Sequence, residues 1–371
     1  MNSKSSKHFY WLDWFRFAAA FEVMTAHVRG YNWTDYYSLP ESNQTRLVSL
    51  FYLATHLSQE AVILFFVLSG FLVGGKVLER VINRSFDASA YAIDRITRIY
   101  VPLVPTIILS LIIGCWICGQ PFSFLTLLGN VVGLQSFYFL PIGGNWPLWT
   151  LAYEILFYVL AGLIGVLLTN NNKVKVFCLF GIMFVFALFT GLQASFLFCW
   201  CLGALGYMLF AAKSVNRPLF ISGLLLAIFG VGFYQYISLH GNLFGSFLAS
   251  GHPAELIFSA GIAVMLPYFA TLAPKASKII ALENLGSRLA SFSYTLYLTH
   301  YLVLRLWYKF GPERHPLFDL NSFAWYFLEC LSCFLFAFCL YVPFEAQTGR
   351  VRKWASQCLQ KSKSPLTAGA A

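Results

Sequence analysis

The sequence predicts an all-α, polytopic membrane bundle of about ten transmembrane helices with both termini cytoplasmic, and three observations predict it. Of 371 residues, 58% are hydrophobic and 11% charged, where a soluble domain carries about 25% charged residues. Apolar runs long enough to cross a bilayer, about 20 residues each, recur along the chain. Lysine and arginine are spread unequally over alternate loops, which sets orientation in a membrane. Aromatic residues make up 18% of the chain and suit a bundle packed in lipid.

Read by length, the spans fall at 9–30, 50–78, 99–118, 147–168, 176–192, 195–212, 218–238, 254–272, 289–308 and 322–343. The first twenty residues begin basic, but Asp13 and Arg16 interrupt the apolar run and no small-residue cleavage site follows. They read as a retained first helix, not a cleaved signal. The stretch 121–146 is apolar but broken by Pro121, Gly129, Gly133, Pro141, Gly143 and Gly144, so it reads as short interfacial or re-entrant pieces. With a cytoplasmic N-terminus and ten crossings, 19 Lys and Arg face inward, from Lys4 and Lys7 through Arg95, Arg98 and Lys275 to the tail, and 5 face outward (Arg29, Arg46, Arg305, Lys309 and Arg314). A full span at 121–146 would invert everything after it and place several basic loops outside.

The formal charge of +10 would raise nucleic acid as a partner in a soluble protein. Here it belongs to the inner loops, and no nucleic acid is expected. Nine cysteines include Cys115-x-x-Cys118 and Cys330-x-x-Cys333. Both pairs lie in apolar runs without the second pair or His of a zinc site, so free buried thiols and no metal are expected. No polar stretch is long enough to fold alone. Residues 1–343 therefore read as one membrane domain and 344–371 as a basic, mobile cytoplasmic tail.

Ionisable groups inside a span are costly unless they face protein or water, which makes them candidates for function. The first span carries Asp13, Arg16, Glu22 and His27. At 100° per residue Arg16 and His27 differ by about 20° and Asp13 and His27 by about 40°, so the three share a stripe; Arg16 lies about 16 Å from His27. Spacing alone leaves open whether this is a reactive stripe or an interfacial His with an anchoring Asp–Arg pair. Arg95 and Arg98, three apart at a helix start, suit phosphate oxygens and equally suit positive-inside anchoring. Glu154 falls one to two turns inside the span that Pro147 opens, between a functional carboxylate and a structural pair. Ser293, Tyr297 and His300 share a face at i, i+4 and i+7, an arrangement that favours hydrogen bonding between helices.

Four blocks then occur in order. They are Asp13-Trp14-Phe15-Arg16 running to His27; Phe65-Phe66-Val67-Leu68-Ser69-Gly70-Phe71-Leu72 followed by Arg95-x-x-Arg98; Pro147-Leu148-Trp149-Thr150-Leu151-Ala152-Tyr153-Glu154; and Ser293-Tyr294-Thr295-Leu296-Tyr297-Leu298-Thr299-His300. Together they resemble the acyltransferase-3 family of membrane acyltransferases in its stand-alone form, without an extracytoplasmic esterase-like domain. Thr150 stands where that family's third block usually has Ser. The resemblance implies an integral protein of a bacterial inner membrane. It implies transfer of a short acyl group, acetyl by default, from acyl-CoA to a glycan hydroxyl. His27 would be general base, with Asp13, Arg16 and Glu154 in the catalytic set and Glu154 fixing the His27 tautomer or holding a sugar hydroxyl. Arg95, Arg98 and Ser69 would hold the donor. Asn145, Trp149, Tyr297 and His300 would meet the acceptor, and Tyr31, Trp33, Tyr36 and Tyr37 could stack on sugar rings or anchor the interface. The competing class is a transporter or flippase of a glycan or lipid-linked sugar. That class predicts inverted repeats with paired broken helices, and the chain has one broken stretch and no repeat. Oligomeric state is not legible.

Overall fold

A computed structural model describes residues 9–170, 172–240, 251–272, 277–312 and 318–363. The expected all-helical bundle is what it contains. The helices are α1 (Tyr10–Asn32), α2 (Arg46–Ala54), α3 (Ser58–Ser69), α4 (Gly75–Ile82), α5 (Ala88–Leu109), α6 (Phe124–Val131), α7 (Trp149–Thr169) and α8 (Asn172–Phe189). They continue with α9 (Ala194–Ala211), α10 (Arg217–His240), α11 (His252–Thr271), α12 (Ser277–Ser291), α13 (Ser293–Phe310), α14 (Leu320–Tyr341) and α15 (Thr348–Lys363). Among the described residues, seven helical stretches are long and apolar enough to cross a membrane. The expected spans 9–30, 176–192 and 289–308 are also helical, but α1 carries Asp13, Arg16, Glu22 and Arg29, and α13 carries Arg305 and Lys309.

Several boundaries differ from those read in the sequence. The span expected at 50–78 is two helices, because α2 ends at Ala54 and α3 starts at Ser58. Thr45 caps α2 by accepting from the Val48 N–H at 3.3 Å, and the Glu22 carboxylate accepts from the Leu57 N–H at 3.0 Å, just ahead of α3. Glu22, which points away from the His27 stripe, thus serves as a cap. The helix expected from residue 99 starts at Ala88, where Asp87 accepts from Ala90 N–H. Its apolar run is preceded by three amphipathic turns, which a hydropathy reading discards. Pro102 and Pro105 interrupt its bonding, and it continues as a π-helical segment, Ser110–Ile117. The stretch 121–146 is, as expected, a set of short pieces: α6 and the 3-10 turn Ile142–Gly144. The tail expected to be mobile is instead helical from Thr348 to Lys363.

Contacts divide the chain into two compact units. The first comprises Met1–Val23, Leu57–Arg80 and Leu192–Ser293. Its helices approach at small residues: a Cβ on Gly203 would lie 2.0 Å from the Val67 carbonyl oxygen, and one on Gly261 2.4 Å from the Ala227 backbone nitrogen. Close approach at small residues is how membrane helices gain packing contact without a hydrophobic drive between them. The second unit comprises Met24–His56, Val81–Gly191 and Tyr294–Ala371. There α13 runs past the 3-10 turn at Ile142–Gly144 and the start of α7, tied by Asn145 and Thr150. The loop residues 241–250, 273–276 and 313–317, including Lys275 and Arg314, lie outside the described residues, as do Lys4 and Lys7.

Candidate active site

His27 sits near the end of α1, half-buried, with its Nδ1 2.9 Å from Nε2 of His300. The rings stack with 5.2 Å between centroids and an 11° interplanar angle. His300 is 0% exposed, and its Nδ1 lies 3.0 Å from the Leu296 carbonyl oxygen, one turn back on α13. A carbonyl oxygen only accepts, so His300 Nδ1 carries the proton. Its Nε2 is then a lone pair that accepts from His27 Nδ1–H. The chain of two bonds leaves the lone pair of His27 on Nε2. This tautomer follows from the hydrogen-bond network. Glu154, expected either to fix the His27 tautomer or to hold a sugar hydroxyl, accepts through Oε1 from the Tyr158 hydroxyl at 2.5 Å. The tautomer-fixing place belongs to His300 because α13 packs against this part of α1.

His27 lines a cavity of about 320 Å³ with Gly30, Tyr31, Tyr301, Arg305 and Tyr308. A Cβ at Gly30 would meet nothing within 4 Å, so that side is open. Arg305, on the cavity wall, is positioned by a neighbouring backbone turn. Gly143 and Gly144 both have left-handed φ (61° and 64°), which L side chains rarely adopt. Gly114, on the π-helical segment, lets Gly143 approach: a Cβ on Gly114 would lie 2.2 Å from the Gly143 carbonyl oxygen. The turn aims the Gly144 carbonyl at Arg305, whose Nε and Nη2 donate to it at 3.3 and 3.2 Å.

A second cluster lies toward the other end of α13. Arg98 donates to Glu345 Oε1 at 2.9 Å and lies over the Tyr294 ring at 5.2 Å. Glu345, buried, also accepts through Oε2 from the backbone N–H and hydroxyl of Thr295, at 3.0 and 2.7 Å. Arg95 donates to Asp94 and lies over the Tyr158 ring, 5.2 Å from its centroid, and Arg352 of α15 reaches the same Asp94 at 2.5 Å. Glu154, through Tyr158, belongs with this cluster. From Tyr294 to His300 the helix rises about 9 Å, so the arginine cluster and the His27 cavity sit at two levels of one helix.

The remaining expected site residues are placed as follows. Asp13 pairs with Arg16 at 3.9 Å and accepts from the Ser287 hydroxyl at 2.8 Å, in the first unit; along α1 Arg16 is about three turns from His27. Ser69 accepts from the Trp200 indole N–H at 3.3 Å. Asn145 is 0% exposed, and its amide donates to the Leu298 carbonyl at 2.9 Å, so it ties the turn to α13. Tyr297 receives the Thr150 hydroxyl at 3.0 Å, and Trp149 packs edge-on against Tyr153. Of the aromatic residues expected to meet sugar, Tyr31 lines the cavity, whereas Trp33 is 2% exposed among Phe51, Phe318 and Tyr326 and serves as core. Tyr36 is half-buried and Tyr37 exposed. The cysteines are free thiols.

Sequence reasoning missed the roles of Glu345 and Arg305. Glu345 is the first acidic residue after the last apolar run, and that position was a usable signal. Arg305 was read only as an outward-facing charge.

The sequence profile of an acyltransferase domain matches residues 9–342, nearly the whole chain. An all-helical membrane fold with this match is a membrane acyltransferase. The chain belongs to the acyltransferase-3 family. No curated protein and no solved structure matches it.

Proposed function

We propose that the protein moves a short acyl group, acetyl in the first instance, from acyl-CoA to a hydroxyl of a cell-surface or exported glycan, in a bacterial inner membrane that it crosses ten times with both termini inside. The observation that carries this is the His27–His300 pair at a cavity in a chain of this family. His27 Nε2 takes the proton of the acceptor hydroxyl as its oxygen bonds to the thioester carbonyl carbon. The C–S bond then breaks, and the CoA sulfur leaves with the proton that His27 returns. His300 holds the His27 ring and its tautomer, as a carboxylate does in a triad. The reading is tested with full-length protein in nanodiscs, labelled acetyl-CoA and a panel of glycan acceptors. Label on no sugar from the wild-type protein overturns it.

Two further expectations arise from the same geometry. His300→Phe removes the acceptor for His27 Nδ1–H, and kcat is expected to fall about ten- to a hundredfold. The KM for acceptor changes little if the role is positioning. An unchanged kcat removes that role. For the donor, Arg95 and Arg98 remain the proposed phosphate contacts, at the level opposite the cavity. The guanidinium groups already face Asp94 and Glu345, so phosphate would compete with carboxylate. Arg95→Ala is expected to raise the KM for acyl-CoA about tenfold, the loss of one charge-assisted bond. A shift confined to acceptor KM would reassign the residue.

A further inference from the structure

We infer that the acceptor is an acidic sugar and that Arg305 receives its carboxylate. The inference rests on reading His27 as the base that takes the hydroxyl proton. Among the described residues, the wall of the cavity beside His27 has one permanent charge and no acidic residue. Arg305 supplies that charge. Its Nε and one N–H of Nη2 are used on a single neutral acceptor, the Gly144 carbonyl oxygen. A guanidinium has five N–H donors, so three remain. Among the described residues no carboxylate pairs with Arg305, whereas Arg16, Arg95, Arg98 and Arg352 each face one. Arg29 also lacks a carboxylate, but it is buried against the Thr55 carbonyl, His56 and the Tyr52 ring.

A half-buried guanidinium with N–H donors to spare beside a cavity is a ready site for a negatively charged group. The planar fork suits a carboxylate better than a hydroxyl. Its position is fixed on one side. A Cβ on residue 144 would lie 1.9 Å from Arg305 Nη2, so a larger residue there would push the fork off the backbone. Tyr301 lies on another side, with the guanidinium carbon 5.9 Å from its ring centroid. His27 and Arg305 line the same cavity, so one sugar seated there could set its carboxylate on Arg305 and a ring hydroxyl at His27. Tyr31 and Tyr308, 6.3 Å apart between centroids, flank the cavity with apolar ring surface for the sugar's C–H faces. Uronic and ulosonic acids have this combination of groups.

The test uses full-length protein in nanodiscs with labelled acetyl-CoA and three matched acceptors: an alkyl glucoside, the glucuronide and the glucuronide methyl ester. The glucuronide is expected to exceed the other two in kcat/KM by about ten- to a hundredfold, the worth of a charged hydrogen-bonded pair. The ester removes the charge without touching the protein. In Arg305→Gln the ratio of glucuronide to glucoside is expected to fall toward one, and Arg305→Lys to retain part of it. A wild-type ratio of one or less, with the neutral sugar acetylated, overturns the acidic acceptor and leaves acyl transfer standing. A preference that appears only with succinyl-CoA, whose acyl group brings its own carboxylate, also overturns it. Activity on the neutral sugar that survives His27→Ala would instead sink the reading on which the inference rests.

Discussion

His27→Ala is expected to lower acyl transfer to acceptor by about 10²- to 10⁴-fold, the range that a positioned general base contributes, while the protein still inserts. The residue is half-buried beside a cavity, so truncation enlarges existing space rather than opening a void in packed core. What it removes is the end of the proton chain that begins at the Leu296 carbonyl and passes through His300. Because the two imidazoles act through one bond, their losses do not add. The double variant His27→Ala, His300→Phe is expected to be no slower than His27→Ala alone. Additive losses would mean that His300 acts on the reaction by another route. The experiment also separates two chemistries. Label that stays on the wild-type protein when donor is given without acceptor would mark an acyl-His27 intermediate; absence of label supports direct transfer. Full activity in His27→Ala would remove the assignment.

Glu345→Ala is the second large effect, and it acts through stability. One buried carboxylate holds Arg98 with Oε1 and the Thr295 N–H and hydroxyl with Oε2. Breaking a buried ion pair from one side costs roughly 3–5 kcal/mol. The Arg98 side chain is 30% exposed, so about 3 kcal/mol is expected here. That is enough to lower the melting temperature by several degrees in detergent and to raise the KM for acyl-CoA. Glu345→Gln keeps a hydrogen-bonding oxygen and is expected to recover part of the stability. A melting temperature unchanged in Glu345→Ala would show that solvent replaces the pair.

The fold was legible because each span announces itself locally: about 20 apolar residues need no partner to be recognised. The stretch 121–146 was legible for the same reason, since its glycines and prolines exclude a continuous helix. Boundaries failed where polarity and helicity part company. The first turns of α5 are amphipathic, α2 and α3 run together in hydropathy, and α15 is polar yet helical. Candidates were legible as costly groups in apolar runs, which singles out His27 and Glu154, whereas His300 read as a residue that hydrogen-bonds between helices. Their pairing was not, because His27 and His300 are 273 residues apart. The resemblance offered Glu154 for fixing the tautomer or for holding a sugar hydroxyl, and which residue meets His27 depends on how the helices pack. Arg305 carried no signal beyond its charge, because its meaning comes from the turn at Gly143 and Gly144.

The ion pair between Arg98 and Glu345 also bears on how the protein is made. The two residues are separated by 247 positions, so ribosome and insertion machinery handle α5 long before its counter-charge exists. Through most of synthesis Arg98 lacks the carboxylate that neutralises it in the finished bundle, and the Thr295 end of α13 lacks its acceptor. The pair can therefore close only after α14 has been made. A chain cut short near residue 343 would contain every span read in the sequence and still leave Arg98 without this carboxylate.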